Sequence, residues 1–318
     1  MKTTAVAPLL FEPLFRERVW GGRRLETVFG KALPPGKSIG ESWEIVDRPE
    51  AQSVVRQGEF RGLTLHELWQ NRRAEIFGAD VLDAPRFPIF AKLLDAREVL
   101  SLQVHPPAAI AQELGGEAKT EMWYLAETEP NADLFVGLRR GVSKEQFKHA
   151  LQTGAAADHV HRIAAKRGDA FFVPSGRLHA IGAGNLIVEI QQNSDTTYRV
   201  FDWNRTGTDG RPRPLQIEQA MRSIDFSDVE PEAVRPDGEL LVRSPDFMVE
   251  KWDLTEARPA LDGLQGGALF VCLGGAAEMA NISLQPGDFF LAPATAAGTK
   301  ITPRAPATSL LRVTLPTR

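Results

Sequence analysis

The chain has 318 residues, of which 43% are hydrophobic and 25% are charged, and this composition is ordinary for one large or two smaller globular domains. A formal net charge of -4 provides no basic surface for nucleic acid or anionic lipid, so we expect neither partner. No apolar stretch is long enough to predict a transmembrane helix. The single cysteine, Cys272, excludes an intramolecular disulfide, and its apolar neighbours predict a buried side chain in a cytoplasmic protein.

Short apolar runs separated by glycine and proline follow one another along most of the chain. The 27 glycines and 22 prolines are typical punctuation for many short strands joined by turns. The strand-like runs, in chain order, are SWEIV, PIFAKLLDA, LSLQVH, MWYLAE, DLFVGL, AFFVP, LIVEIQQ and TYRVFDW. The sequence therefore predicts a mainly β protein.

Three segments carry helix signals. One has Thr64 as its N-cap and Gly78 as its stop signal, and another begins at Ser143 and stops at Gly154. A third, shorter helix is expected after Pro107. We interpret these segments as short helical insertions in a β architecture.

One motif occurs twice. GDAFFVP, from Gly168, resembles GDFFLAP, from Gly287, and each predicts a turn, a buried strand and a second turn. The repeat indicates two related β-barrels. Eleven residues after the first glycine stands His179, whereas Gly298 stands at the same distance after the second. We therefore expect the second barrel to have lost its ligand.

The residues around His179 predict a metal ligand. The spacing Gly168-x5-Pro174-x-Gly176-x2-His179 resembles the second histidine motif of the cupin barrels, in which a hairpin aims the histidine into the barrel. This resemblance implies jelly-roll β-barrels.

Three further residues are candidates for the same ion. Gln103 and His105 are two apart on a predicted strand, so both side chains lie on one face, and Glu121 follows in KTEMWYL. Two imidazoles, a carboxylate and an amide oxygen suit one Zn²⁺ per chain and can leave a position for substrate. His159 and His161 form an alternative pair on one strand face, but no acidic partner follows them at a suitable interval.

The domain organisation is predicted from a change in composition. The segment 226–242 is acidic, carries two prolines and shows weak periodicity, as a linker does. We expect residues 1–230 to form a catalytic cupin barrel with helical excursions. Residues 231–318 are expected to form a smaller C-terminal cupin-like β domain without metal.

A more specific family resemblance covers residues 11–205. It is carried by PLFRERVWGG, GESWEIVDRPE, FPIFAKLLDAREVLSLQVHP, GEAKTEMWYLAE, GDAFFVPSGRLHAIG and LIVEIQQNSDTTYRVFDWNR. These segments together resemble the type I phosphomannose isomerases, in the shorter bacterial form. The resemblance implies a zinc-dependent cupin enzyme that interconverts mannose 6-phosphate and fructose 6-phosphate. It also implies a metal site made of Gln103, His105, Glu121 and His179.

The same resemblance suggests active-site roles for Lys92, Lys119, Asp195 and Arg199. Longer family members carry histidine and proline beside the lysine of the glutamate motif, whereas this chain has Ala118 and Thr120 there. This departure makes Lys119 more prominent.

The chemistry of aldose–ketose isomerisation explains why such residues are needed. A proton moves between adjacent carbons through an enediol, which requires an electrophile, a base and a cation for the phosphate. We expect Lys119 to act near the metal, whose charge would lower its pKa. Asp195 is a further catalytic candidate, and Arg199 suits an oxyanion or a phosphate. Lys92, flanked by apolar residues, needs a phosphate or carboxylate partner, and Trp20 is a candidate pocket residue.

Two other functions fit part of the sequence. A non-catalytic sugar-binding or sensing cupin could keep the metal, and an iron-dependent oxygenase would use more histidines. The additional lysines and arginine favour a sugar-phosphate isomerase. A monomer or a homodimer is expected.

Overall fold

The computed structural model describes residues 7–207 and 209–315. The helices are α1 (Arg24–Phe29), α2 (Leu65–Asn71), α3 (Arg73–Ile76), α4 (Ala108–Ala111), α5 (Lys144–Thr153) and α6 (Ile217–Ser223), with 3-10 helices at Ala156–His159 and Ala294–Ala296. The first strands are β1 (Leu9–Leu10), β2 (Leu14–Gly22), β3 (Ile39–Ile45), β4 (Asp47–Arg48), β5 (Ala51–Gln52), β6 (Ile89–Ala96), β7 (Leu102–Val104), β8 (Glu121–Thr128), β9 (Asp133–Leu138), β10 (Val160–Ala164), β11 (Ala170–Val173), β12 (His179–Ile181), β13 (Asn185–Gln192) and β14 (Tyr198–Phe201). The later strands are β15 (Leu240–Arg243), β16 (Met248–Leu254), β17 (Arg258–Pro259), β18 (Ala268–Gly274), β19 (Ala277–Met279), β20 (Ile282–Leu284), β21 (Phe289–Ala292), β22 (Lys300–Pro303) and β23 (Thr308–Thr314).

Four larger antiparallel sheets pack in layers, and β4 and β5 form a separate two-stranded sheet. The strand orders of the four larger sheets are β10-β9-β12-β7-β14, β11-β8-β13-β6-β3-β2, β1-β21-β18-β23-β16-β15 and β17-β22-β19-β20. Each interface between neighbouring layers buries its own apolar cluster, represented by Trp123, Val188 and Phe270. Alternation of side chains along each strand explains how one six-stranded sheet can be apolar on both faces. The prediction of a mainly β fold with two related units and few helices is confirmed.

The sheets divide along the chain near residue 230. The first two layers use residues 14–201, and the other two use residues 240–314 together with β1. We call these pairs of layers the first unit and the second unit. The predicted domains 1–230 and 231–318 stay a prediction, and Leu9–Leu10 adds an edge strand to the second unit.

The segment 226–242 connects the units; its first part, up to residue 234, is docked against the first unit, whereas residues 240–242 belong to β15. The Leu138 N–H donates to the Asp228 carbonyl at 3.0 Å, and the Glu230 N–H donates back to Leu138 at 2.9 Å. Arg177 also donates two side-chain hydrogen bonds of 2.8 and 2.7 Å to Asp228. The acidic residues that suggested a linker thus bind partners on the first unit.

The repeated glycine motif folds the same way in both units. Gly168 and Gly287 have φ angles of 91° and 86°, in the left-handed region that favours glycine. The Gly168 N–H donates to Leu125 and the Gly287 N–H donates to Cys272, both at 2.8 Å. The two motifs are therefore structurally equivalent turns that open β11 and β21.

This equivalence identifies what replaces a ligand in the second unit. Val173 pairs with Glu121, and Ala292, at the same distance from its glycine, pairs with Ala268. Ala268 thus occupies the position that Glu121 has in the first unit. Alanine offers no ligand atom there, and a second unit without metal stays a prediction.

The predicted helix caps are confirmed, although the segment expected to run from Thr64 to Gly78 is divided at Arg72 into α2 and α3. Thr64 accepts from the Glu67 N–H and forms a capping box at the start of α2. Ser143 caps α5, which ends at Gly154 in the left-handed conformation.

The structure bears on two further expectations, for membrane-spanning helices and for the single cysteine. No helix in residues 7–207 and 209–315 is long and apolar enough to cross a membrane. Cys272 lies in the core of the second unit, where burial raises the pKa of its thiol to about 12. This thiol is a buried apolar side chain, as predicted.

Candidate metal centre and active-site cavity

Strand pairing brings the predicted metal ligands together. His179 begins β12 and pairs with Gln103 of β7. His105 is the first residue after β7. Glu121 begins β8 in the neighbouring layer, and its carboxylate oxygens lie 3.4 Å from His105 Nε2 and 3.6 Å from His179 Nε2. The ligand atoms of these three residues all lie within 4.8 Å of one another.

Both imidazole rings are held in the tautomer that a metal requires. His105 Nδ1 lies 2.8 Å from the Thr196 carbonyl oxygen, and His179 Nδ1 lies 2.9 Å from that of Arg177. Because a carbonyl oxygen can only accept, each Nδ1 carries the proton and donates it. The Nε2 lone pairs are consequently left facing Glu121.

The buried acceptors of this cluster are incompletely satisfied. Glu121 Oε1 and His105 Nε2 have no hydrogen-bond partner among the described residues, and Glu121 Oε2 has the ion pair with Lys119 at 3.0 Å. Since buried polar atoms are normally hydrogen-bonded, converging acceptors of this kind indicate a cation site. Two imidazoles and one carboxylate are a donor set that fits zinc.

Gln103 lies beside the cluster with its amide nitrogen turned inward. Its Nε2 is 3.3 Å from His179 Nε2, and its Oε1 accepts from the Ser101 hydroxyl at 3.2 Å. A half-turn of the terminal amide would exchange its oxygen and nitrogen and direct the oxygen toward the cluster. Gln103 as a fourth ligand therefore stays a prediction.

The environment keeps both histidines neutral. Burial, assisted by the charge of Lys119, lowers the pKa of His105 to about 3. Burial also lowers the pKa of His179. Neutral imidazoles bind a metal without first losing a proton at pH 7.

Lys119 is buried next to the metal ligands. Its Nζ lies 3.0 Å from a Glu121 carboxylate oxygen. Burial alone would lower the pKa of Lys119, but the carboxylates of Glu121 and Glu189 outweigh it and raise the pKa above its ordinary value. The expected lowering by a bound cation stays a prediction, because the chain's own residues act in the opposite direction.

A cavity of about 460 Å³ adjoins the cluster. Gln103 and Lys119 belong to its wall, so the cavity reaches the predicted ligands. The structure places all five predicted catalytic and substrate-binding residues in the same wall: Trp20, Lys92, Lys119, Asp195 and Arg199.

Arg199 and Asp195 enter the wall from adjacent pieces of backbone. Arg199 lies in β14, whereas Asp195 lies in the preceding loop, so the two flank a bend rather than share a helical face. The Arg199 Nε is buried without a hydrogen-bond partner in the described chain. Burial and the neighbouring Arg213 lower the pKa of Arg199. Such a guanidinium is well suited to an anion.

Lys92 has a carboxylate partner, one of the two kinds that its position requires. Its Nζ lies 3.2 Å from Glu189 and 4.3 Å from the centre of the Phe90 ring. Burial raises the pKa of Glu189. Trp20, only 3% exposed, contributes an apolar part of the same wall.

Sequence reasoning missed several charged residues of this cavity. Arg18 donates two hydrogen bonds to Glu41, at 2.7 and 3.1 Å, and both residues line the wall together with Glu189 and Arg213. Glu189 interrupts an apolar strand, the signal that also singled out Lys92. Nothing in the local pattern around Arg213 indicated a cavity residue.

The alternative pair of histidines lies outside this centre. His159 belongs to a 3-10 helix, where its Nδ1 lies 3.2 Å from the Ala155 carbonyl oxygen, and His161 lies in β10. Over the described ranges, only His105, Glu121 and His179 form a group of three residues able to hold a metal. The alternative therefore receives no support.

Known proteins share both the sequence and the fold. A family model for the catalytic domain of type I phosphomannose isomerase matches residues 9–147. The probable mannose-6-phosphate isomerase GmuF of Bacillus subtilis (strain 168) is 39% identical over 300 residues, covering 90% of this chain and 93% of that protein. The chain belongs to the type I phosphomannose isomerase family. The predicted family relationship is confirmed.

Solved structures extend this relationship to the second unit. The crystal structure of the mannose 6-phosphate isomerase from Bacillus subtilis matches with a TM-score of 0.86 at 32% identity, covering 98% of this chain and 100% of that chain. A zinc-bound holo mannose 6-phosphate isomerase shares the fold, with a TM-score of 0.75 at 16% identity and coverage of 98% of this chain. The phosphomannose isomerase fold thus includes both units.

Proposed function

We propose that this phosphomannose isomerase interconverts mannose 6-phosphate and fructose 6-phosphate through an enediol, with one zinc ion per chain. The observation that carries the proposal is the convergence of three buried ligand residues, with acceptor atoms left incompletely satisfied, beside a cavity lined by lysine and arginine side chains. The family relationship supports the same substrate pair, since the related proteins are described as mannose-6-phosphate isomerases.

Zinc fits the donors that the chain provides. His105, Glu121 and His179 would hold the ion, with Gln103 as the fourth protein ligand. Bound zinc supplies a Lewis acid that stabilises negative charge on a sugar oxygen. The carbonyls of Thr196 and Arg177 keep the imidazole rings in the required orientation.

The proton transfers fall to groups in the cavity wall. An aldose becomes a ketose when a proton leaves C2, another is delivered to C1, and the hydroxyl proton shifts between their oxygens. Lys119 and Asp195 are our candidates for proton carriers, and the raised pKa of Glu189 makes it a further group able to exchange a proton. Burial of this wall favours specific proton transfer over exchange with bulk water.

Arg199 and Lys92 are assigned to substrate binding and charge stabilisation. The Nε of Arg199 is buried without a hydrogen-bond partner in the described chain, so it is free to donate to a phosphate or to a developing oxyanion of the substrate. Lys92 is already paired with Glu189, so we expect it to attract the phosphate less strongly than Arg199 does. Trp20 would pack against the sugar.

The non-catalytic sugar-binding alternative is not favoured. A sensor needs no buried proton-exchanging groups beside its ion, whereas Lys119 and Glu189 both lie in this wall. The oxygenase alternative is likewise disfavoured by the family relationship. A cytoplasmic location and a monomeric or homodimeric state remain proposals, and the buried thiol of Cys272 is compatible with them.

A coupled assay tests the function. The enzyme is incubated with mannose 6-phosphate, and fructose 6-phosphate is detected through linked enzymes, with unphosphorylated mannose as the matched control substrate. We expect turnover of the phosphate ester, loss of turnover on chelation and recovery on adding zinc. In deuterated water, the product is expected to carry solvent deuterium at C1 only in part, because the buried wall limits exchange of the transferred proton with bulk water. Binding of mannose 6-phosphate without turnover in the zinc-loaded protein would instead establish the sensor.

A further inference from the structure

Gln192, at the end of β13, connects the metal centre to the second unit. Its Oε1 accepts from the Thr120 backbone N–H at 2.7 Å, and its Nε2 donates to Asp246 Oδ1, also at 2.7 Å. The Gln192 backbone N–H donates to the Thr120 carbonyl at 3.0 Å. One side chain thus bridges two units, and its amide orientation is defined by a donor on one side and an acceptor on the other.

Thr120 occupies a sensitive position in the centre. It stands between Lys119 and Glu121, so any shift of its backbone moves both side chains. Its Oγ1 lies 3.2 Å from the hydroxyl of Ser175, which belongs to the turn that leads to His179. Thr120 therefore ties the strand of one predicted ligand to the hairpin of another.

The side chain of Asp246 has few contacts other than its hydrogen bond with Gln192. It lies in the short loop between β15 and β16, and in the described chain its side chain forms a hydrogen bond with Gln192 and no salt bridge. Partial burial raises the pKa of its carboxyl. A half-buried acid without a cationic partner lowers the stability of the fold, and the hydrogen bond to Gln192 offsets part of this cost.

We propose that Asp246 of the second unit is a positioning residue for the metal centre and acts through Gln192 and Thr120. The carboxylate fixes the Gln192 amide, which holds the backbone between Lys119 and Glu121 in the geometry for binding an ion. The second unit then contributes to the site although it provides no ligand. The inference rests on the proposed zinc centre but not on the identity of the sugar.

The test compares three variants and one control. Asp246→Ala removes the acceptor, whereas Asp246→Asn can retain it through the amide oxygen. Gln192→Met removes the bridge from the other side with little change in volume, and it serves even if Asp246→Ala fails to fold. Asp253→Ala removes an exposed charge from the same unit, where Asp253 pairs with Lys251.

Three measurements are made on the full chain. Zinc affinity is determined by competition with a chromophoric chelator, the cobalt(II)-loaded protein gives an absorption spectrum that reports ligand geometry, and kcat and KM are measured with mannose 6-phosphate. We expect Asp246→Ala and Gln192→Met to weaken zinc binding roughly 3- to 10-fold and to change the cobalt spectrum. Their kcat should fall while KM stays close to that of the wild type. Asp246→Asn and Asp253→Ala should resemble the wild type.

The inference is overturned if Gln192→Met has wild-type zinc affinity and an unchanged cobalt spectrum. Equal weakening in Asp253→Ala would also overturn it, because the effect would then be a general one of the second unit. A wild-type protein that binds no zinc contradicts both proposals. A wild-type protein that binds zinc but does not isomerise the sugar contradicts the proposed function alone.

Discussion

The ion pair between Lys119 and Glu121 makes a quantitative prediction about the metal-free protein. Its atoms are 3.0 Å apart, and the two side chains are only 5% and 1% exposed. At an effective dielectric of about 20, this separation corresponds to a direct attraction of about 5 kcal/mol. Breaking a buried pair by removing one partner typically costs about 3–5 kcal/mol, because the other charge is left buried and alone.

The perturbation is a double-mutant cycle of Lys119→Met and Glu121→Gln. Each single variant should lower the free energy of unfolding of the metal-free protein by about 3 kcal/mol. The double variant should cost no more than either single one, because both charges are then absent, which gives a coupling of about 3 kcal/mol or more.

Urea unfolding in the presence of a chelator, followed by tryptophan fluorescence, measures these free energies. Burial opposes ionisation of Glu121, but Lys119 outweighs it and lowers the pKa of Glu121 well below its ordinary value. Its contribution is thus present above its ordinary pKa and is lost as the pH falls through the lowered one. The contribution of Lys119, whose pKa is raised, is lost only as the pH rises through that raised value. The coupling should therefore persist from about pH 5 to about pH 10. Additive single effects, within about 0.5 kcal/mol, would refute the reasoning.

Three other predictions concern the histidines, the cavity and a distant helix. Burial lowers the pKa of His105 to about 3, so the stabilising contribution of the neutral imidazole is present above its ordinary pKa and is lost as the pH falls toward 3. Over this window the free energy of unfolding of the metal-free protein should fall by about 1.4 kcal/mol per pH unit. Urea midpoints that do not change from pH 6.5 to 4.5 would contradict this prediction. Arg199→Ala should keep its zinc but lose about 100- to 1000-fold in kcat/KM, as metal analysis and the coupled assay will show, and wild-type kinetics would exclude a catalytic role. Ser143→Ala removes the cap of α5 and should lower the free energy of unfolding, measured by thermal unfolding, by about 1 kcal/mol. Activity should not change, since α5 packs on the outer face of the five-stranded sheet, and a loss of activity would contradict this arrangement.

Local patterns explain the parts of this fold that the sequence predicts well. The caps at Thr64 and Ser143 act within one turn, so their signals are complete in the sequence. The turn at Gly168 is equally local, because its left-handed backbone favours glycine. Spacing within a strand also places Gln103 and His105 near one another, and strand pairing then carries them to His179.

Long-range contacts explain what the sequence does not reveal. Alternation indicates that Glu189 interrupts an apolar strand, but it cannot name Lys92 as the partner across the sheet. The contact between Gln192 and Asp246 joins residues 54 positions apart in the chain, and neither residue carries a local signal. The insertion of Leu9–Leu10 into the sheet of the second unit depends in the same way on tertiary packing.

Titration of the metal-stripped enzyme with zinc is the most direct test of the central claim, that His105, Glu121 and His179 hold the ion on which isomerisation depends. Activity with mannose 6-phosphate is recorded after each addition, and His179→Ala is titrated in parallel. We predict that activity rises linearly and levels off at about one zinc per chain, while the variant neither binds zinc tightly nor becomes active. Full activity before any zinc is added, or a fully active His179→Ala variant, would contradict the account.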